Sequence, residues 1–228
     1  MRRVAFGIVV ALSIAASASA DTPDSAGKGE AAAQAALARV RALQDAQSRL
    51  PPPANLAEEL QRRVDVDQAV RDWSWQAGLA VGDQRAAVQV IAPAMAQIDM
   101  ENTAWLKTQL PADGWFRISR DGPSVANNAF LIVQHSPDAA WRKEIVARME
   151  PLAMAGEVSP ASFALMYDRV MLAETGRQRY GTQAICRDGA VAIAEMEEPE
   201  KVQARRDAIK FTQPLHEAYR KGLEGRKC

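Results

Sequence analysis

The chain has 228 residues, 48% of them hydrophobic, and its 28 basic residues balance 28 acidic ones. Its basic residues come only in short clusters, which speaks against general nucleic-acid binding, a process that depends on neutralising several phosphates. It speaks equally against a role on membrane surfaces.

Residues 1–20 read as a cleavable export signal: basic Arg2 and Arg3, an apolar run from Val4 to Ala16, then Ser17-Ala18-Ser19-Ala20 ending in an A-x-A site. The apolar run is too short to cross a bilayer and leads straight into the cleavage site. Cleavage leaves 208 residues starting at Asp21, with 26 basic against 28 acidic side chains and a net charge of −2. That length allows one good-sized core or two small ones. The expected location is periplasmic or secreted, with no membrane insertion after cleavage.

Residues 21–29 are small and polar and read as a disordered leader. Ala33, Leu37, Val40, Leu43 and Leu50 then recur at helical spacing until Pro51-Pro52-Pro53 stops the helix. Asn55 is a good N-cap for a second helix running to Trp75 and Gly78. Residues 84–110 are helical with Pro93 expected to kink or divide them. An irregular connection covers Trp115 to Gly122. Two more helices follow over 124–135 and 138–155. Ser159 and Pro160 open the next, which stops at Gly176. Asp188-Gly189 between short apolar runs signals a β-hairpin at about 182–194, and a charged helix is expected over 200–221. The fold class is therefore mainly α: an irregular multi-helix domain over 54–222 with one late hairpin. Before it come the leader, N-terminal helix and Pro-rich linker (21–53), and after it a tail (223–228).

Asp168 and Arg169 stand out because their helical neighbours Ala164, Leu165, Met166, Met171 and Leu172 are apolar. Charges in such surroundings need partners, since desolvating each ion costs several kcal/mol. Gln178, Tyr180, Thr182 and Gln183 offer amides and hydroxyls at the hairpin entrance. One reading makes this group a structural lock between helix and hairpin; the other makes it a ligand-binding pocket floor. His135 ends an apolar helix and is the candidate general base, with Asp168 or Asp138 as the carboxylate that orients it. His216, Arg205 and Arg206 are expected on a solvated face, Trp73 and Trp75 in packing, and Asp67 and Arg71 as a pair at four-residue spacing. Cys186 and Cys228 could form a disulfide worth about 4 kcal/mol by chain entropy. Neither a zinc motif nor a phosphate-binding or nucleophile-elbow motif occurs, so no metal and no cofactor is expected.

Taken together, Asp67-Gln68-x-x-Arg71, Gly114-Trp115, Gln134-His135, Gly156-Glu157, Asp168-Arg169-Val170, Gly176-x-Gln178-x-Tyr180-Gly181-Thr182-Gln183, Arg205 or Arg206, and Tyr219 resemble a bacterial family built around a domain of unknown function, over residues 55–220. Phe116 replaces the proline usual after Gly-Trp. Ser136-Pro137 replaces the usual Ala-Asp after Gln-His, which displaces the acid to Asp138. The resemblance implies a shared domain and no activity. Three functions remain open on these residues. The first is a binding module for a small polar or anionic ligand or an envelope protein partner. The second is a hydrolase-type enzyme using His135, and the third a structural envelope protein.

Overall fold

The computed structural model describes residues 25–76 and 78–228, so the expected export signal and residues 21–24 of the expected leader lie outside the described residues, while residues 25–29, expected to be disordered leader, are helical. Alanine-rich sequence makes the first helix, α1 (Ser25–Ser48), five residues longer at its start than periodicity alone suggests. Its small face, Ala33, Ala36 and Val40, is buried with Val66 and Val70 of α2 (Leu56–Val70) and Ala87, Ile91 and Ile98 of α3 (Val81–Gln109). Asn55 caps α2 as expected, its side chain accepting the Glu58 N–H.

α2 ends earlier than expected. The Asp72 carboxylate accepts the Ser74 N–H at 3.1 Å and starts a separate 3-10 turn, Trp73–Gln76. Trp73 stays 36% exposed, so only Trp75 joins the packing. Pro93 does not divide α3, which is helical through it. The stretch from Trp115 to Gly122 is more ordered than expected. Trp115 and Phe116 are buried, and a short α4 (Ile118–Asp121) leads into α5 (Pro123–His135). Asp138 accepts the Trp141 N–H at the start of α6 (Ala139–Ala155).

The described residues divide into two compact units, one reaching Ile145 and the other running from Val146 to Cys228. In the second, Ser159 accepts the Ser162 N–H and Pro160 begins α7 (Pro160–Thr175), which Gly176 ends in the left-handed conformation. Strands β1 (Ala184–Arg187) and β2 (Ala190–Ile193) pair antiparallel with Arg187 opposite Ala190. Asp188 and Gly189 form the two-residue turn, both at positive φ (52° and 77°), the backbone that Asp-Gly adopts most readily. The last residues are no loose tail. Val191 donates to the Arg226 carbonyl and Cys228 to that of Gly189, so the chain end lies along β2. Cys228 is disulfide-bonded to Cys186, with Cα atoms 5.8 Å apart.

The expected continuous helix over 200–221 is broken. A 3-10 turn, Pro199–Lys201, precedes α8 (Val202–Ala208). Lys210 then turns to φ 60°, and Pro214 lacks the N–H a helix would need, so the chain restarts as α9 (His216–Lys221). The result is mainly helical, with a single two-stranded hairpin among the described residues.

Candidate functional site

Three helices of the first unit bring charged side chains to one point. Asp67 on α2 is 1% exposed, so its carboxylate needs donors on every side. Arg71, one turn further along, gives it a hydrogen bond at 2.8 Å, and Gln68 gives another at 2.7 Å. The other arm of Arg71 grips Asp99 of α3 through both carboxylate oxygens, at 2.5 and 2.7 Å. From the end of α5, His135 Nδ1 lies 3.0 Å from both oxygens of Asp67. The expected pair at four-residue spacing, Asp67 and Arg71, is thus present, inside a larger cluster.

A carboxylate can only accept, so Nδ1 of His135 carries a proton and donates to Asp67. The Gln134 amide nitrogen stands 3.2 Å from Nε2 and donates to it. His135 retains 10% side-chain exposure, and Arg71 and Asp99 14% each. Burial pushes the Asp99 carboxyl up, and the Arg71 guanidinium opposes that shift. Asp138 is not the acid that orients His135. It pairs with Lys107 at 2.6 Å, and Lys107 together with the Trp141 N–H holds its carboxyl below the usual range.

Asp67, Asp99 and His135 each present a ligand atom within 4.8 Å of the others. Three such groups could hold a divalent cation, a possibility that motif spacing alone did not suggest. The Arg71 guanidinium, however, already bridges both carboxylates and supplies the positive charge they need. The two carboxylates outnumber the one guanidinium beside the His135 ring.

The residues around Asp168 form a different kind of assembly within the second unit. Asp168 is fully buried and accepts four hydrogen bonds: from the N–H of Arg179 and Tyr180 at 2.8 Å, and from the N–H and hydroxyl of Thr182 at 2.9 Å. Burial pushes its carboxyl up, while these donors pull the other way. Gln178 is equally enclosed. Its amide donates to the carbonyls of Gln183 and Ala194 and accepts the Gln183 N–H. Gln183 in turn donates to the Leu165 carbonyl and to the Thr182 hydroxyl. Tyr180 packs edge-on against Phe163 and Tyr167, and burial pushes its phenol up to about 12. Arg169, beside Asp168 on α7, is half-buried.

Two residues expected in solvent belong to this assembly. Arg206 is 1% exposed and donates to the carbonyls of Tyr180 and Pro214. His216 is 7% exposed, its ring against Gly181. Their burial follows from the break at Lys210 to Pro214, which folds α9 back toward the 176–183 loop instead of extending a solvated helix. Arg205, by contrast, sits near the surface on the Glu197 carbonyl and Glu198.

Comparison with functionally described proteins and with solved structures finds no match. A family model does match, over residues 54–226, and it takes in both the Asp67–His135 cluster and the Asp168 assembly. The chain therefore belongs to the family of unknown function DUF6624.

Proposed function

We propose that this is an exported binding module whose working centre is the His135–Asp67–Arg71–Asp99 cluster, and that it takes a small polar ligand, neutral or cationic, that donates a hydrogen bond to His135 Nε2. The observation that carries this reading is the state of Nε2. The carboxylate oxygens of Asp67 and Asp99 are engaged by Arg71, Gln68 or His135 Nδ1, whereas among the described residues Nε2 is met by the adjoining Gln134 amide alone. A ligand reaches Nε2 by displacing that amide. The net negative charge of the cluster favours a hydroxyl, an amine or an ammonium group over an anion. The side-chain donors of Gln178, Thr182 and Gln183 are committed to internal partners, and Tyr180 packs between Phe163 and Tyr167, so these residues suit bracing better. Export is supported by the signal-like first twenty residues and by the Cys186–Cys228 bridge, since disulfides persist in oxidising compartments.

A specific observation also favours a second reading, the hydrolase-type enzyme. An imidazole held by a buried carboxylate at Nδ1 presents Nε2 as a general base, and that geometry is present in His135 and Asp67. One experiment separates these readings. A panel of small polyols, amines and esters is added to wild type and to His135→Gln, and unfolding temperature and product formation are followed. The binding reading expects at least one compound to raise the melting temperature of wild type, unchanged in composition, with the rise lost in the variant. Turnover of an ester in wild type alone moves the assignment to the enzyme. Equal responses from both proteins remove His135 from the function altogether.

A further inference from the structure

Outside the cluster just described, the second unit holds a buried, titratable group with no bonding partner at one ring nitrogen. His216 opens α9, and its Nε2 is buried without a hydrogen bond. The ring is pressed onto the backbone of Gly181, so closely that a Cβ at that glycine would stand 2.4 Å from Nε2. The Met196 sulfur would stand 3.1 Å from the same Cβ. A neutral ring can meet this place with a bare Nε2 lone pair; a ring with an N–H on both nitrogens cannot, because the Nε2 donor would be buried unsatisfied.

The surrounding charges add to the mismatch. Two cations act on His216, Arg206 from α8 and Arg220 from its own helix. The acids of the neighbouring elements are turned elsewhere. Asp168 serves the loop N–H groups, Glu197 pairs with Arg179, and Asp207 accepts from Gln203. Glu217 pairs with Lys221 and Glu224 with Arg220. Tyr219 donates its hydroxyl to the Thr182 carbonyl. No carboxylate among the described residues is therefore in place to receive an imidazolium at this position.

We propose that His216 is an acid-sensitive latch: its neutral ring holds α9 against the 176–183 loop, and protonation releases α9, while the Cys186–Cys228 bridge keeps the chain end on β1. The elements that the latch closes are those that wrap Asp168, so release exposes the Tyr180-Gly181-Thr182 backbone. Burial first, then the two guanidiniums, lowers the proton affinity of the closed form below that of a free histidine. The open form binds the proton more readily, so acid drives opening. Stability from this group is complete above about pH 6.5, the ordinary histidine value, and drains away as pH falls below it.

The test uses the full mature chain with labelled histidines. Thermal unfolding between pH 7.5 and 5 is compared for wild type and His216→Gln, while NMR follows the His216 ring and the backbone amides of 178–183. The latch predicts that amide opening of the 178–183 and 216–223 segments in wild type rises by up to about tenfold per pH unit below pH 6.5, corresponding to one proton taken up on opening. The variant should lose that dependence. If His216→Gln does not fold, the wild-type spectra still decide: loop amides that shift with the same midpoint as the His216 ring support the latch. A ring that titrates while those amides stay fixed, or a folded variant with the wild-type pH dependence, overturns it.

Discussion

Asp67 and Asp168 are both buried carboxylates, yet their donors differ in kind. Asp67 is met by side chains, from Arg71, Gln68 and His135. Asp168 is met by three backbone N–H groups and one hydroxyl. Side-chain donors can rearrange when a ligand arrives, whereas backbone donors fix the path of the chain. The Asp168→Ala substitution strands four donors, each worth about 1–3 kcal/mol when left unpaired and buried, less whatever water enters. A loss of about 3 kcal/mol or more is expected, read as a fall in the urea midpoint, and a loss below about 1 kcal/mol would mean that the bonds contribute little. Only part of this was legible from residues alone. The apolar neighbours of Asp168 announced a charge in need of partners, and the Asp67 to Arg71 spacing announced a pair. Asp99 was missed because it lies 28 positions from Arg71 on another helix, and its local stretch, with Glu101 two residues on, reads as an ordinary polar helix face.

Local chemistry and element boundaries agree wherever a cap or turn residue dictates the backbone. Asn55, Ser159 and Asp188-Gly189 each sit where their side chain or their φ preference requires. The disagreements arise where a single residue overrules a good pattern. Asp72 draws off the end of α2, and Pro214 with Lys210 splits the last charged stretch. Periodicity reads that stretch as one solvated helix and so hides the burial of Arg206 and His216. The chain end is the other surprise, because it is held along β2 by an isolated bridge and tied to β1 through Cys186. Cross-linking a 42-residue separation restricts the unfolded chain by about 4 kcal/mol in the chain-entropy model. Reduction is expected to lower the denaturant midpoint of the second unit's transition and to speed amide exchange at Val191 and Cys228. An unchanged midpoint after complete reduction would show that the strand contacts alone hold the chain end.

Across the whole chain, the family-matched region contains two polar assemblies that differ in how committed they are. The Asp168 assembly spends its groups on holding α7, the hairpin entrance, α8 and α9 together. The His135 cluster holds three helices and still presents one nitrogen that, among the described residues, meets a neighbouring side chain alone. On this account the first assembly shapes the protein and the second does its work. The most direct test is the protonation pattern of the His135 ring, read from the two ring nitrogens in a histidine-labelled sample near neutral pH and compared with Asp67→Asn. The account predicts that the wild-type ring carries its proton on Nδ1, with Nε2 unprotonated, and that Asp67→Asn disturbs this pattern while leaving His216 unchanged. A wild-type ring protonated on Nε2, or one indifferent to the loss of the Asp67 charge, would contradict it.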